Sequence, residues 1–182
     1  MLISLSNVSK TFLDKSILKN ISLSVNDNDR IGLLGINGVG KTTLLNIISG
    51  NIECDEGVIS LSQNLRIGYL KQNEALNTSN SLQKEIENAL QLVFDTRAQL
   101  ESISKKMSQA SDPEYEKISA EYERLTNIYN AADGYNAEVR INTVLNGMGF
   151  GNFDMSTSVS VLSGGEKTRF ALAKILVENP NL

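Results

Sequence analysis

The segment at residues 35–42 is Gly35-Ile36-Asn37-Gly38-Val39-Gly40-Lys41-Thr42. It fits G-x-x-x-x-G-K-[ST], and its surroundings are those the pattern needs, a short apolar run before it and a helical pattern after it. The run from Arg30 to Leu34 stops at glycine, as a strand buried on both faces does. After the loop, Lys41 to Ser49 is predicted helical, with Leu44, Leu45, Ile47 and Ile48 as its apolar side and Gly50 where a terminating glycine belongs. The chemistry follows from the residue types. Glycines let backbone N–H groups curl around phosphate oxygens, and the helix N-terminus adds partial positive charge. Lys41 reaches the β and γ phosphates, and Thr42 supplies a hydroxyl for Mg2+. A tight strand-to-helix turn alone explains the glycines but not the adjacent Lys-Thr, so the stretch predicts a nucleotide-binding loop.

Upstream, Leu2 to Val8 reads as β, and Ile21, Leu23 and Val25 alternate with Ser22, Ser24 and Asn26 at the period of a half-buried strand, with a turn at Asp14 and Lys15 between the two. Downstream, Val58 to Leu61 and Arg66 to Leu70 are further strand candidates. Residues 74–133 then change character: glycine is absent, and apolar residues fall at helical spacing. Ile86, Val93, Leu100 and Met107 stand seven apart, and Tyr115, Ile118, Tyr122, Leu125, Tyr129 and Ala132 follow a 3-4 alternation. Two helices zipped along one seam satisfy both patterns. Ser111-Asp112-Pro113-Glu114 between them is a cap followed by proline in the first helical turn. The expected element is an inserted antiparallel helical hairpin, its first helix running unbroken from Leu82 to about Gln109. A stripe packed on the main body instead of on a partner helix would show the same letters.

Composition narrows the chemistry. With 182 residues, 41% hydrophobic and 21% charged, the chain can bury a sizeable core. Seventeen Lys and Arg against 21 Asp and Glu give a net charge of −4, which offers no global electrostatic case for nucleic-acid binding. There is no histidine, which removes His-based triads and most zinc chemistry. The single Cys54 cannot close an internal disulfide and reads as inert, as in a reducing compartment. No apolar run approaches the ~20 residues of a membrane span, and the N-terminus lacks a secretory pattern. A cytoplasmic location is expected.

A second motif sharpens the reading. Leu162-Ser163-Gly164-Gly165-Glu166 lies about 120 residues after the loop and opens a predicted helix through Leu176. Alone it is a helix cap; paired with the loop, in that order and at that distance, it resembles the signature of the ABC ATPases. Gln72 stands where that family keeps its Q-loop glutamine, a ligand of Mg2+ and of the attacking water. Phe12, in Lys10-Thr11-Phe12, stands where it keeps the aromatic that stacks on adenine. Read from the residues alone, Phe12 fits a core position equally well, and Gln72 the surface.

Within the superfamily the chain is most similar to the ABC-F proteins, soluble ATPases that act on the ribosome. The signature continues Glu166-Lys167-Thr168-Arg169 where transporter domains mostly carry Gln, the segment from Q-loop to signature is lengthened by a hairpin like the ABC-F arm, and Gly134 to Glu138 with Val144 to Phe150 looks like that family's run into the signature. The resemblance implies an α/β fold: a P-loop ABC-type ATPase domain with an antiparallel β subdomain and the hairpin insertion. The implied divisions are 1–73, a β subdomain and nucleotide-binding core up to the Q-loop; 74–133, the arm; and 134–182, a helical subdomain ending before Walker B. It implies ATP and Mg2+ as ligands. Gly35, Asn37, Gly38, Val39, Gly40, Lys41, Thr42 and Thr43 would hold the phosphates, Thr42 and Gln72 the metal, and Lys41 and Gln72 would carry catalysis. Ser163, Gly164, Gly165 and Glu166 would meet the nucleotide bound by a second ATP-binding domain of the same polypeptide.

The ribosome, through rRNA, tRNA or a ribosomal protein, is the implied partner, in translation or antibiotic resistance. Residues 74–133 carry 6 basic and 11 acidic side chains, the opposite of a surface that grips phosphates. Because the family's Walker B strand and catalytic glutamate follow Leu182, the 182 residues alone are expected to hydrolyse ATP hardly at all and to be marginally stable, with the backbone of Arg30 to Leu34 short of partners. The alternatives are the ATP-binding subunit of a membrane transporter and a nucleotide-binding interaction module without turnover.

Overall fold

The computed structural model describes residues 1–63, 65–71, 76–108 and 111–182. They form two compact units, Met1–Tyr69 with Pro180–Leu182, and Leu70–Asn179.

In the first unit, β1 (Ile3–Phe12) lies between β2 (Lys15–Val25) and β3 (Glu56–Leu61) in an antiparallel sheet of order β2-β1-β3. The register pairs Ile3 with Val25 and Leu61, and Leu5 with Leu23 and Ile59. Alternate β1 residues thereby bury Ile3 and Leu5. The β1–β2 turn is made by Leu13 and Asp14, both at positive φ, which closes the hairpin on the Phe12–Lys15 pair. Helix α1 (Lys41–Ile48) adds Leu44 and Ile47 to the core formed by Leu2, Ile3, Leu5, Val8, Leu18 and Val25. It ends at Ser49, followed by Gly50 at φ +74, the left-handed residue the sequence places there.

Two expected strands do not form. Residues 30–34 belong to no strand, and Ile31, Leu33 and Leu34 are 52, 41 and 94% exposed. A continuous apolar run is a buried strand only when neighbours flank it, and the described sheet places β1, β2 and β3 together and not this segment. Residues 66–70 are likewise outside any strand. They nevertheless bond the C-terminal residues in the slanted manner of parallel pairing: Leu182 N donates to Arg66 O at 3.2 Å, and Gly68 N donates to Leu182 O at 2.7 Å.

The second unit is helical. It comprises α2 (Leu82–Ala89), α3 (Gln91–Met107), α4 (Asp112–Ala131), a 3-10 turn at Gly134–Asn136, α5 (Ala137–Gly147), a second 3-10 turn at Val159–Val161, and α6 (Gly164–Val177). Helices α3 and α4 pack on each other as the hairpin predicts. The expected single helix from Leu82 is instead interrupted at Leu90, whose φ of −109° and ψ of 25° leave the helical range. The seam is also shorter than expected. Ile86, Leu90, Val93 and Tyr129 are buried in one core with Phe150, Phe170 and Val177, while Tyr115 and Tyr122 remain largely exposed. Helix α2 buries Leu82, Glu85 and Ile86, packs against both α6 and α3, and ties Glu85 to Lys174 of α6.

Candidate functional site

The loop between residues 34 and 41 is held by local chemistry. Val39 N donates to Ile36 O, and Gly38 and Gly40 both adopt positive φ, +84 and +103. Gly40 is fixed by space as well: a Cβ there would lie 2.9 Å from Ile17 Cγ2 and from Leu18 Cδ2. The loop thus nests against β2, and only glycine fits both the dihedral and the gap. Lys41, the first residue of α1, turns its ammonium back into the loop and donates to Gly35 O at 2.7 Å and Ile36 O at 2.8 Å. The first turn of α1 carries no acidic residue and no side-chain cap, so its free N–H groups and Lys41 make one positive rim. Gly35, Asn37, Gly38, Val39 and Thr42 are exposed on that rim, and Thr43 is half-buried. A hard hydroxyl oxygen such as that of Thr42 fits Mg2+.

Phe12 ends β1 in the same unit. Its ring is 42% exposed, with Lys10 Nζ 5.4 Å from its centroid, so it is not a core residue. Lys10 is itself anchored by Asp55 at 2.6 Å, and Thr11 N bonds the same carboxylate. Those bonds hold the Asp55 carboxyl below its ordinary value, chiefly the one from Lys10. The pairing of Lys10 with Asp55, 45 positions apart, has no local sequence signal. Gln72 lies outside the described residues.

In the second unit Ser163 is the N-cap of α6 and shares a capping box with Glu166: Ser163 N and Oγ donate to Glu166 Oε2 at 2.8 and 2.7 Å. These bonds lower the Glu166 carboxyl from its ordinary value, the Ser163 hydroxyl contributing most. Gly164 and Gly165 follow in the exposed first turn, and a Cβ on either would meet nothing within 4 Å. Glycine costs about 1 kcal/mol per residue against alanine inside a helix, and among the described residues no neighbour demands it. The far end of α6 is tied by charges that the sequence reading missed. Glu85 of α2, 3% exposed, accepts from Lys174 Nζ and Asn80 Nδ2 at 2.6 and 2.7 Å. Burial pushes the Glu85 carboxyl up, but hydrogen bonds from Lys174, Asn80 and the Asn77 backbone, with the Lys174 charge, together outweigh it and leave the group below its ordinary value. A glutamate between Leu82 and Ile86 on one apolar face was the available signal. Among the described residues no group of three or more acidic, Cys or His side chains could hold a metal by itself, and no helix is long and apolar enough to cross a membrane.

Residues 18–182 match the family described as ABC transporter. The chain is 35% identical over 168 residues to the energy-dependent translational throttle protein EttA of Escherichia coli K12, covering 92% of this chain and 30% of that protein. It is 32% identical over 181 residues to the tylosin resistance ATP-binding protein TlrC of Streptomyces fradiae, covering 99% and 33%. The chain spans about a third of the length of these relatives. A solved ATP-binding subunit of an ABC transporter superposes on 99% of the chain with a TM-score of 0.69 at 16% identity, covering 63% of that subunit. That likeness is one of fold.

Proposed function

The chain belongs to the ABC transporter family, and we propose that it is the nucleotide-binding part of an ABC-F type ATPase that acts on the ribosome in the cytoplasm, pairing with a second ATP-binding domain of the same polypeptide. The observation that carries the nucleotide site is the positive rim at the start of α1, where Lys41 Nζ lies 2.7 and 2.8 Å from two loop carbonyls. It exchanges those carbonyls for phosphate oxygens when ATP binds, while the first-turn N–H groups take the remaining oxygens. Thr42, with Gln72, would hold Mg2+, which would supply positive charge against the phosphate oxygens. Phe12 offers an exposed ring for the base. The resemblance to EttA and TlrC, whose names speak of translation and of antibiotic resistance, supports the ribosomal reading.

Ser163 and the two glycines of α6 serve the site of the opposite domain. Their support is that no packing demand for glycine exists there among the described residues. Ser163→Arg separates this from a role at the chain's own site: ATP affinity of the isolated first domain stays within about twofold, while turnover of the full-length protein falls by two orders of magnitude or more, about 3 kcal/mol of transition-state stabilisation. Loss of ATP binding in the isolated domain contradicts the assignment. Turnover stimulated by ribosomes supports the ABC-F reading, and turnover stimulated only by a membrane partner contradicts it.

A further inference from the structure

Both roots of the α3–α4 hairpin are tied to the last turn of α6, the helix that Ser163 opens. On the entry side, Glu85 of α2 pairs with Lys174 at 2.6 Å. On the exit side, α4 ends at Ala131, capped by Ala132, and the chain reverses at Asp133, which has φ +52. Arg140 of α5, its side chain 13% exposed, reaches two ways from there. Its Nη1 donates to Asp133 Oδ2 at 2.6 Å, and its Nε donates to Val177 O at 2.7 Å. Val177 is the fully buried last residue of α6, so its carbonyl is one that the helix itself leaves unpaired. A cation there also faces the negative end of the helix dipole. The two ties, at positions 174 and 177, sit less than one helical turn apart. Helix α6 is 14 residues, about 21 Å, and transmits a displacement of that end to Ser163 as a rod does.

We propose that Arg140 is a positioning residue that clamps the arm to the signature helix, so that the hairpin and the Ser163-Gly164-Gly165 turn move as one body. A partner that pulls on the arm then shifts the phosphate-capping turn. That consequence rests on the assignment of Ser163 above; the clamp itself does not. Guanidinium is required because its fork bridges a carboxylate and a carbonyl at once, which a point ammonium does not do.

The test is the distribution of distances between spin labels at Glu116→Cys in α4 and Thr168→Cys in α6, both exposed, in the full chain with Cys54→Ser. Arg140→Lys, which keeps the charge and loses the fork, is expected to widen the distribution about twofold with the melting temperature nearly unchanged. Asp133→Asn, which keeps the side-chain shape, widens it less and serves if the lysine variant fails to fold. Arg124→Lys, at the exposed pair with Glu121 within α4, leaves the width as it was. An unchanged width in Arg140→Lys and Asp133→Asn, or equal widening in Arg124→Lys, overturns the clamp. Ser163→Arg turnover, measured separately, reports on the function reading alone.

Discussion

Replacing Glu85 by Gln removes one charge from inside the helical unit and little else. The Gln carbonyl still accepts from Asn80, but the other terminus becomes an NH2 facing the Lys174 ammonium that now sits 2.6 Å from Oε2. A charge-assisted hydrogen bond is worth about 1.5–3 kcal/mol, and breaking a fully buried ion pair costs about 3–5 kcal/mol. Lys174 is 22% exposed and swings toward water, which relieves part of the loss. The expected destabilisation is therefore about 2 kcal/mol, from the lower range of those effects. With a urea slope near 2 kcal/mol/M, the midpoint at pH 7 falls by about 1 M, read by far-UV circular dichroism. The pH dependence supplies an internal check. The native Glu85 carboxyl lies below its unfolded value, so its contribution is complete above the ordinary glutamate range and is lost as pH falls through the lower native value. The two proteins should thus differ at pH 7 and converge in acid, where wild-type Glu85 is protonated and nearly isosteric with Gln. Equal midpoints at pH 7, or a gap that persists unchanged in acid, would show that the Glu85–Lys174 pair does not stabilise the helical unit.

Gly40→Ala forces a Cβ to 2.9 Å from Ile17 and Leu18 at φ +103, and is expected to destabilise by about 1–3 kcal/mol in urea titration while also weakening nucleotide binding. Deleting the whole of Leu82–Ala132 should collapse the helical unit, because Leu82, Ile86 and Leu90 are core. Replacing only 98–121 by a short Gly-Ser turn keeps Val93, Leu125 and Tyr129, and should leave one cooperative thermal transition in circular dichroism.

What could be read from the sequence was what is decided locally. The loop glycines, the α1 stripe with Gly50, the Ser163 cap and the two-residue alternation of β1 and β2 each state their conformation within a few residues. Arg30–Leu34 failed because both-face burial is a property of neighbours, and a short run with three aliphatic side chains carries no information about who stands beside it. The seven-residue spacing of Ile86, Val93, Leu100 and Met107 runs through the interruption at Leu90 without a change of letter. Ile86 therefore looked like an arm residue although it packs in the core with Phe170. Glu85–Lys174 and Arg140–Val177 join positions 89 and 37 residues apart, and a single sequence shows each only as a charge in a helix. The site itself divides the same way. The phosphate loop was legible from one octapeptide, whereas the anchoring of Lys10 by Asp55 beside Phe12 emerges only from the register of β1 against β3.

Lys41 and the loop before it are proposed to hold a nucleoside triphosphate, and ATP binding to Lys41→Ala decides it. The substitution removes one ammonium and the two bonds to Gly35 O and Ile36 O, leaving Gly38 and Gly40 to shape the turn. Titration calorimetry with MgATP on the full-length protein should show affinity at one site reduced about 10- to 100-fold, the equivalent of one charge-assisted contact to phosphate, with binding at the second domain kept. MgATP binding unchanged at every site of a folded Lys41→Ala protein would show that Lys41 holds no phosphate.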